Sequence, residues 1–332
     1  MRYPDFSLQF KPSRRSALAA ALLGAVGLFG NIAHAQNATI KLMVGFPAGG
    51  ATDILARTLA EKLSPLLGTT VVVENKAGAG GQIAAQALKA AAPDGTTFFL
   101  THDHTVSILP LVVKNPGFDP AKDFVPVAGF ATFVNALAVS SNTPAKSLND
   151  YVAWVKTQGS KGNVGIPAPA SVPEFLVKVL GEKYKLDLQA APYRGSAPMM
   201  ADMLGNQIGA GIASVPDFIE NHRAGKFRVV AVLGSTRQAS LPDVPTFAEL
   251  GLAGFEDVPY YGIFAPAGTP KAAVDRFSSA MEKVMAMPDV RERMTAMGLT
   301  VGHMPPAQLG KAEQAYAQAW SRIIKASGFQ AQ

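Results

Sequence analysis

Residues 39–81 read TIKLMVGFPAGGATDILARTLAEKLSPLLGTTVVVENKAGAGG, and their pattern decides the fold. A β-rich run over Thr39–Phe46 stops at a proline–glycine turn, and a helix with leucines on one face follows. A second apolar strand over Thr69–Val73 leads to another glycine-rich turn, Gly78–Gly81. Strands and helices that alternate in this way are typical of a parallel sheet, so we predict the α/β class.

The same alternation continues along the rest of the chain without a fixed period, which argues against a solenoid or a propeller. Two α/β blocks are separated by extended segments near Val134–Ser140 and Tyr260–Ala265, where we expect the chain to cross between blocks. We therefore predict a discontinuous first domain, residues 36–136 and 262–332, and an inserted second domain, residues 137–261. Two chain crossings make a hinge with a cleft, where ligands commonly bind.

The first 35 residues are predicted to be a cleaved signal peptide. Arg14 and Arg15 precede an apolar run of 13 residues, Ala17–Phe29, and small residues place the cleavage after Ala35. The alternative is a transmembrane anchor, but a helix of this length spans only about 20 Å of a hydrocarbon core of about 30 Å. The paired arginines also fit a twin-arginine signal loosely, so the Sec and twin-arginine routes both stay open. We expect a mature chain that is soluble outside the cytoplasm.

Composition and missing motifs exclude several classes of function. The 332 residues contain no cysteine, which excludes disulfides, Cys-ligated zinc and thiol nucleophiles. The formal net charge is +6, and residues 1–35 carry a net +3 of it. Lys and Arg are not clustered with aromatics, so we expect no nucleic-acid partner. The sequence has no Gly-x-Ser-x-Gly elbow, no Walker loop and no complete dinucleotide fingerprint, so neither a cofactor nor an enzyme is expected.

The two glycine turns are the leading candidates for a binding site. Ligands of open α/β sheets bind at the carboxyl ends of strands, and both turns connect such an end to a helix. Glycine uncovers backbone N–H groups, and the helix dipole attracts an anion, either a carboxylate or a phosphate. The alternative is that the glycines only permit tight turns. Two such turns in one exported chain favour the interpretation as a binding site. Its predicted residues are Phe46, Ala48, Gly49, Gly50, Ala51, Thr52, Asp53, Gly78, Ala79, Gly80 and Gly81.

Other strand ends add polar candidates. His102 and His104 alternate at a strand end, where they either hydrogen-bond to a carboxylate or hold a metal, and we favour the first. A zinc site would need a third ligand, for which only His222 and His303 remain among the mature histidines. Arg194 either clamps an acid or pairs with a surface carboxylate. The further candidates are Thr101 and the rest of the segment Thr101–His104, then Ser171, Tyr193, Arg194, Gly195, Ser196, Ser214 and, as an aromatic cover at the second crossing, Tyr260.

Seven segments form an ordered set along nearly the whole mature chain. They are FPAGGATD at 46–53, VENKAGAGG at 73–81, APDGT at 92–96, FDPAKDF at 118–124, PYRG at 192–195, AGK at 224–226 and GIFAPAGTP at 262–270. Together they resemble the Bug-type, or TctC-like, periplasmic solute-binding proteins of tripartite tricarboxylate transporters. The resemblance implies a two-domain periplasmic-binding-protein fold of type II, the Venus-flytrap fold. It also implies a periplasmic location, a membrane permease partner and a small carboxylate ligand held largely by amides and waters at the first two loops.

Three positions depart from the pattern of this family. Ile166 stands where many relatives have a hydroxyl, although Ser171 keeps one in the same loop. Ala213 stands where relatives often have an aspartate, which argues against a ligand with an ammonium group. Tyr260 stands where they often have tryptophan. The more apolar wall favours an aromatic or otherwise bulky carboxylate.

We therefore expect a monomeric receptor that captures a carboxylate in the cleft and delivers it to a tripartite tricarboxylate-type membrane transporter without catalysing a reaction. One alternative is a receptor of the same fold that signals to a membrane sensor kinase. The other is a metal-dependent hydrolase that uses His102 and His104.

Overall fold

The computed structural model describes residues 38–159, 161–253, 258–326 and 328–331. The predicted signal peptide, residues 1–35, lies outside these ranges. Eleven strands of the described residues form two sheets. They are β1 (Ile40–Val44), β2 (Val71–Asn75), β3 (Thr97–His102), β4 (Phe124–Thr132), β5 (Asn135–Ser140), β6 (Lys161–Ile166), β7 (Asp187–Pro192), β8 (Ala210–Ser214), β9 (Phe227–Val232), β10 (Tyr260–Pro266) and β11 (Thr300–Met304).

Helices connect most of these strands. They are α1 (Ala51–Leu67), α2 (Gln82–Lys89), α3 (Leu109–Val112), α4 (Pro120–Asp123), α5 (Leu148–Thr157), α6 (Val172–Tyr184), α7 (Ser196–Leu204), α8 (Val215–Arg223), α9 (Lys271–Ala286), α10 (Pro288–Ala296) and α11 (Pro306–Ala326). A 3₁₀ turn, Ala79–Gly81, precedes α2, and a π-helical turn, His104–Ile108, precedes α3. None of the helices within the described ranges has both the length and the apolar character of a membrane span.

Both sheets are mixed rather than fully parallel. The first has the order β11-β4-β10-β3-β1-β2 and the second the order β7-β6-β8-β5-β9. β1 pairs in parallel with β2 and β3, and β6 with β7 and β8. β5 and β10 are antiparallel to both of their neighbours. Each of these two strands enters its sheet from the other sheet, so it starts at the edge where the parallel strands end.

The chain passes from the first sheet to the second at residues 133–134 and returns between β9 and β10. Asn135 and Ala136 therefore pair in the second sheet, and Tyr260 and Tyr261 in the first. Sheet membership alone does not define a domain, so the bounds 36–136, 137–261 and 262–332 stay a prediction.

The register of the strands places the strand ends that lead to the predicted site next to one another. Val44, the last residue of β1, pairs with Asn75, the last residue of β2, and with Leu100, two residues before the end of β3. In the second sheet Ser214, the last residue of β8, pairs with Asn135, the first residue of β5. Loops that are distant in sequence consequently open at one edge of each sheet, as expected for α/β sheets.

Apolar side chains cover the faces of the sheets. The predicted leucine face of α1 is confirmed at Leu55, Leu59, Leu63 and Leu67, which are buried, but the predicted Leu66 is exposed. The C-terminal helix α11 packs against β4 of the first sheet. Its Trp320 also contacts Phe175 of α6, with a ring-centroid distance of 5.7 Å. We call each sheet with its flanking helices one half of the molecule. Because α6 flanks the second sheet, α11 connects the two halves in addition to the two crossings.

Glu313 on α11 generates a prediction about pH. Burial, reinforced by the charge of Asp119, raises the pKa of the Glu313 carboxyl to about 7. The folded state therefore binds this proton more tightly than the unfolded state, whose pKa is near 4.5. The stabilising contribution of the protonated form is complete below about pH 4.5 and is lost as the pH rises through about 7.

We expect Glu313→Gln to raise the free energy of unfolding at pH 8 by about 1–2 kcal/mol, a value reduced for partial exposure. The variant should also flatten the decline in stability between pH 5 and 8, as measured by urea denaturation. Glu282→Gln on α9 is the control, because Glu282 is exposed. If the stability of E313Q changed with pH in parallel with that of the wild type, the raised pKa of Glu313 would be contradicted.

Candidate ligand-binding cavity

A cavity of about 540 Å³, including space open to solvent, lies between the two sheets. The ends of β1, β3, β4, β6 and β8 and the starts of β5 and β10 lead to its wall. The lining residues are Phe46, Thr52, His102, Asp103, His104, Phe133, Asn135, Pro167, Ala168, Ser171, Val172, Pro173, Ser196, Ser214, Asp217 and Tyr261.

Four helices begin at this cavity. Thr52 lies in the first turn of α1, Ser171 precedes α6, Ser196 begins α7 and Ser214 precedes α8. The described lining residues include no Lys or Arg. An anion in this cavity would therefore be bound by backbone N–H groups, hydroxyls and helix dipoles rather than by a fixed cation.

The first glycine loop is held in place by Asp53. The Asp53 carboxylate accepts hydrogen bonds from the Gly49 amide, at 3.0 Å, and from Asn75 Nδ2, at 2.9 Å. Arg57 pairs with the same carboxylate through two nitrogens, at 2.9 and 3.0 Å. Burial alone would raise the pKa of Asp53, but these hydrogen bonds lower it overall. Asp53 therefore stays ionised and organises the loop; it does not line the cavity.

The remaining predicted residues of the first loop have different surroundings. Phe46 and Thr52 line the cavity, whereas Ala48 and Gly49 are exposed. Gly50 is buried beside the second sheet, because a Cβ there would lie 3.0 Å from Ser196 Oγ. This closeness shows that the loop faces the start of α7.

Asp217 of α8 occupies the N-terminus of α1. Its Oδ1 accepts hydrogen bonds from the Ala51 amide, at 3.0 Å, and from Ser196 Oγ, at 2.5 Å. Its Oδ2 accepts one from Ser214 Oγ, at 2.5 Å. A carboxylate of the protein thus takes one of the amides that sequence reasoning assigned to a ligand. The same carboxylate joins the two halves of the molecule.

The second glycine loop supports the cavity wall and does not form its surface. None of its predicted residues, Gly78, Ala79, Gly80 and Gly81, is among the lining residues. A Cβ at Gly80, where φ is +64°, would lie 2.5 Å from His104 Nε2. Thr105 Oγ1 donates a hydrogen bond to the Gly80 carbonyl, at 2.9 Å. Here the glycines permit close packing behind His104, and ligand contact by this loop stays a prediction.

The segment His102–Asp103–His104 forms one wall. The His102 ring stacks on Phe46, with a centroid distance of 4.7 Å. His104 is buried, and burial, reinforced by the charge of His102, lowers its pKa to about 3, so it is neutral near pH 7. The described residues contain no group of three or more His, Asp or Glu side chains that could hold a metal ion. The two histidines therefore have no third ligand in this part of the chain.

The predicted serines reach the cavity, but other candidates do not. Ser171, Ser196 and Ser214 are all lining residues. Thr101 is fully buried outside the lining, and Arg194 is exposed to solvent. The remaining two are held elsewhere: the Tyr193 hydroxyl donates to Asp202 Oδ2, and Gly195 packs against Pro47.

Tyr260 does not cover the cavity, and Tyr261 lines it instead. Neighbouring residues of a strand point to opposite faces, so only one of the two can face the ligand. The Tyr260 hydroxyl lies 2.8 Å from Ser107 Oγ, in the core. Burial, with the Asp217 charge, raises the pKa of Tyr261 far above its usual value, so its phenol stays protonated.

Sequence reasoning missed part of the lining. Asp103 belongs to the predicted segment Thr101–His104, whereas Tyr261 was missed although it lies next to the predicted Tyr260. The local sequence signal at Asp217 was limited to its position in the first turn of a helix. The other missed lining residues are Phe133, Asn135, Pro167, Ala168, Val172 and Pro173.

Solved structures similar to this chain include a periplasmic binding protein. The periplasmic binding protein BugD is 32% identical, with a TM-score of 0.83, and the match covers 89% of this chain and 99% of that one. MatC from Rhodopseudomonas palustris, solved with malate, is 30% identical, with a TM-score of 0.79, and the match covers 86% of this chain and 98% of MatC. An R. palustris protein solved with adipate is 28% identical, with a TM-score of 0.82 and coverage of 88% and 98%. The predicted two-domain α/β binding-protein fold is confirmed.

The family follows from sequence comparison. Residues 55–329 match the model of the tripartite tricarboxylate transporter family receptor, TctC. A UPF0065 protein encoded in the gbd 5′ region of Cupriavidus necator is 33% identical over 94% of this chain and 93% of its own length. BugT of Bordetella pertussis is 30% identical over 87% of this chain and 89% of its own length. The chain belongs to the TctC receptor family, as its motifs predicted.

The Asp217 contact leads to a prediction about stability. We expect Asp217→Ala to lower the free energy of unfolding of the ligand-free protein by about 1–3 kcal/mol, because three donors lose a charged acceptor. Glu220→Ala is the control, since Glu220 lies on the same helix, is exposed, and forms an ion pair with the partly exposed Arg223. Urea denaturation measures both variants. Equal effects of the two substitutions would show that the Asp217 contact is not stabilising.

Proposed function

We propose that this protein is a periplasmic solute receptor that captures a small carboxylate between its two sheets and delivers it to the permease of a tripartite tricarboxylate-type transporter. The observation that carries the proposal is the cavity at which α1, α6, α7 and α8 begin. Helix N-termini bind anions through oriented N–H groups, and serine hydroxyls add donors at the same wall. The neighbours solved with malate and adipate support a carboxylate as the ligand.

The apolar part of the wall suits the carbon skeleton of such an acid. Phe46, Phe133 and Tyr261 surround His102, with ring-centroid distances to it of 4.7, 5.9 and 5.8 Å. Aromatic side chains offer a large apolar contact area and favour a flat or bulky ligand. This wall supports the aromatic or bulky carboxylate expected from the sequence.

Ligand capture would act through closure of the two halves. Residues from both sheets line the cavity, so a ligand that contacts both binds the closed form more tightly than an open one. Only this difference in affinity shifts a hinge equilibrium. The receptor acts without catalysis in this proposal, and delivery to a permease rather than to a sensor kinase is supported by the transporter family of its matching model.

A screen of organic acids tests the proposal. We expect at least one small mono- or dicarboxylate, aliphatic or aromatic, to bind with micromolar affinity by calorimetry. At about one hundred times its dissociation constant, it should stabilise the protein by about 2.7 kcal/mol in thermal unfolding. Inorganic phosphate is the control anion. Stabilisation by phosphate alone, with every carboxylate inactive, would contradict a carboxylate receptor.

The loop contact between the halves gives a second test. Gly50 has an ordinary φ of −80°, so Gly50→Val should fold, but the new side chain would press on Ser196. Overpacking of about 1–3 kcal/mol in the closed form corresponds to an affinity weaker by roughly tenfold or more. Gly302→Val is the matched control, because Gly302 is exposed with open space around it. Calorimetry with the best acid of the screen measures both, and an unchanged dissociation constant in G50V would exclude closure at this loop.

A further inference from the structure

The carboxylate of Asp217 is held by donors from both halves of the molecule. In the first half, the Ala51 amide at the start of α1 donates to Oδ1, at 3.0 Å. In the second half, Ser196 Oγ donates to Oδ1 and Ser214 Oγ to Oδ2, both at 2.5 Å. Asp217 and the two serines line the cavity. We call these three donors the anion seat, because an amide at a helix start and two hydroxyls are groups that bind a carboxylate.

The helices around the anion seat are not capped by their own N-cap side chains. The N-cap residues of α1 and α7 are Gly50 and Gly195, which have no side chain that could accept a hydrogen bond. The N-cap residue of α8 is Ser214, whose hydroxyl donates to Asp217 and makes no capping hydrogen bond. Since a helix start carries a partial positive charge, these three starts favour an anion at the position of the Asp217 carboxylate.

The cavity offers little to neutralise a further negative charge beside Asp217. Its described lining contains Asp103 as a second acid and no Lys or Arg. His104 is neutral near pH 7, because burial, reinforced by the charge of His102, lowers its pKa to about 3. A carboxylate of the solute at the start of α1 would therefore find the Ala51 amide occupied and would be repelled by a like charge.

We propose that Asp217 is a specificity-determining residue, whose carboxylate fills the anion seat and excludes a second carboxylate of the solute from the start of α1. The inference rests on the proposed function and selects among its ligands. An acid with one carboxylate is bound in preference to the diacid of the same length. Without the Asp217 side chain, the same three donors are left for a carboxylate of the solute.

Matched acids test the inference with the wild-type protein. Calorimetry compares butanoate with succinate, hexanoate with adipate, and benzoate with terephthalate, so that the acids of each pair differ by one carboxylate. We expect each monoacid that binds to do so roughly 10- to 100-fold more tightly than the diacid of its pair. A diacid that binds the wild type as tightly as its monoacid, or more tightly, would overturn the inference and leave the carboxylate receptor intact. If none of the six acids binds the wild type or D217A, the proposed function fails for these acids, and the inference fails with it.

Variants assign the preference to Asp217. We expect Asp217→Ala to reduce the ratio of monoacid to diacid affinity by roughly tenfold or more, because the diacid gains the three donors. Asp217→Asn, which keeps the shape of the side chain without its charge, should reduce the same ratio. Loss of the contact between the halves would weaken both acids of a pair alike, so it does not change the ratio. Glu220→Ala, an exposed change on α8, is the control and should keep the wild-type ratio. An unchanged ratio in D217A would overturn the assignment.

Formate tests the anion seat in the absence of a solute. It supplies the carboxylate that Asp217→Ala removes. We expect sodium formate to raise the unfolding midpoint of D217A by about 2 °C more than that of the wild type. Sodium chloride at the same ionic strength is the control for screening. Equal shifts in the two proteins would show that the three donors do not form a carboxylate site, and would overturn the inference whether or not a solute has been found.

Discussion

The contact of Asp217 with the start of α1 is the interaction on which the arrangement of the cavity depends. One carboxylate accepts hydrogen bonds from Ala51 of the first half and from Ser196 and Ser214 of the second. Because α1 begins after β1 and α8 after β8, this contact brings the functional edges of both sheets together. It fixes the start of α1 relative to Ser196 and Ser214 of the opposite wall.

Occupation of this helix terminus by a protein carboxylate changes how the cavity recognises a ligand. A positive helix end attracts an anion, and Asp217 already supplies one. The helix starts near Ser171 and Ser196 also open on the cavity, and no protein carboxylate of the described lining occupies them as Asp217 occupies the start of α1.

The sequence predicted those features that depend on neighbouring residues. The leucine period of α1, the glycine turns and the strand ends with serines are local patterns, so the fold class and three lining serines were found. Asp217 was missed because its partner Ala51 is 166 positions away. Tyr260 was chosen over Tyr261 because the face of a strand depends on its register with β3 and β4. Ligand contact by the loop glycines stays a prediction, because sequence does not show whether an amide is already hydrogen-bonded, as the Gly49 amide is to Asp53.

The contact of Trp320 with Phe175, whose rings are tilted by 45° to each other, has a mechanical consequence. The two crossings alone would allow the halves to rotate about the axis that joins them. Helix α11 contacts both β4 and α6, so it is a third connection between the halves. A rotation of one half against the other would have to move the Trp320 ring relative to the Phe175 ring. This contact therefore adds a restraint on opening at residues that do not line the cavity.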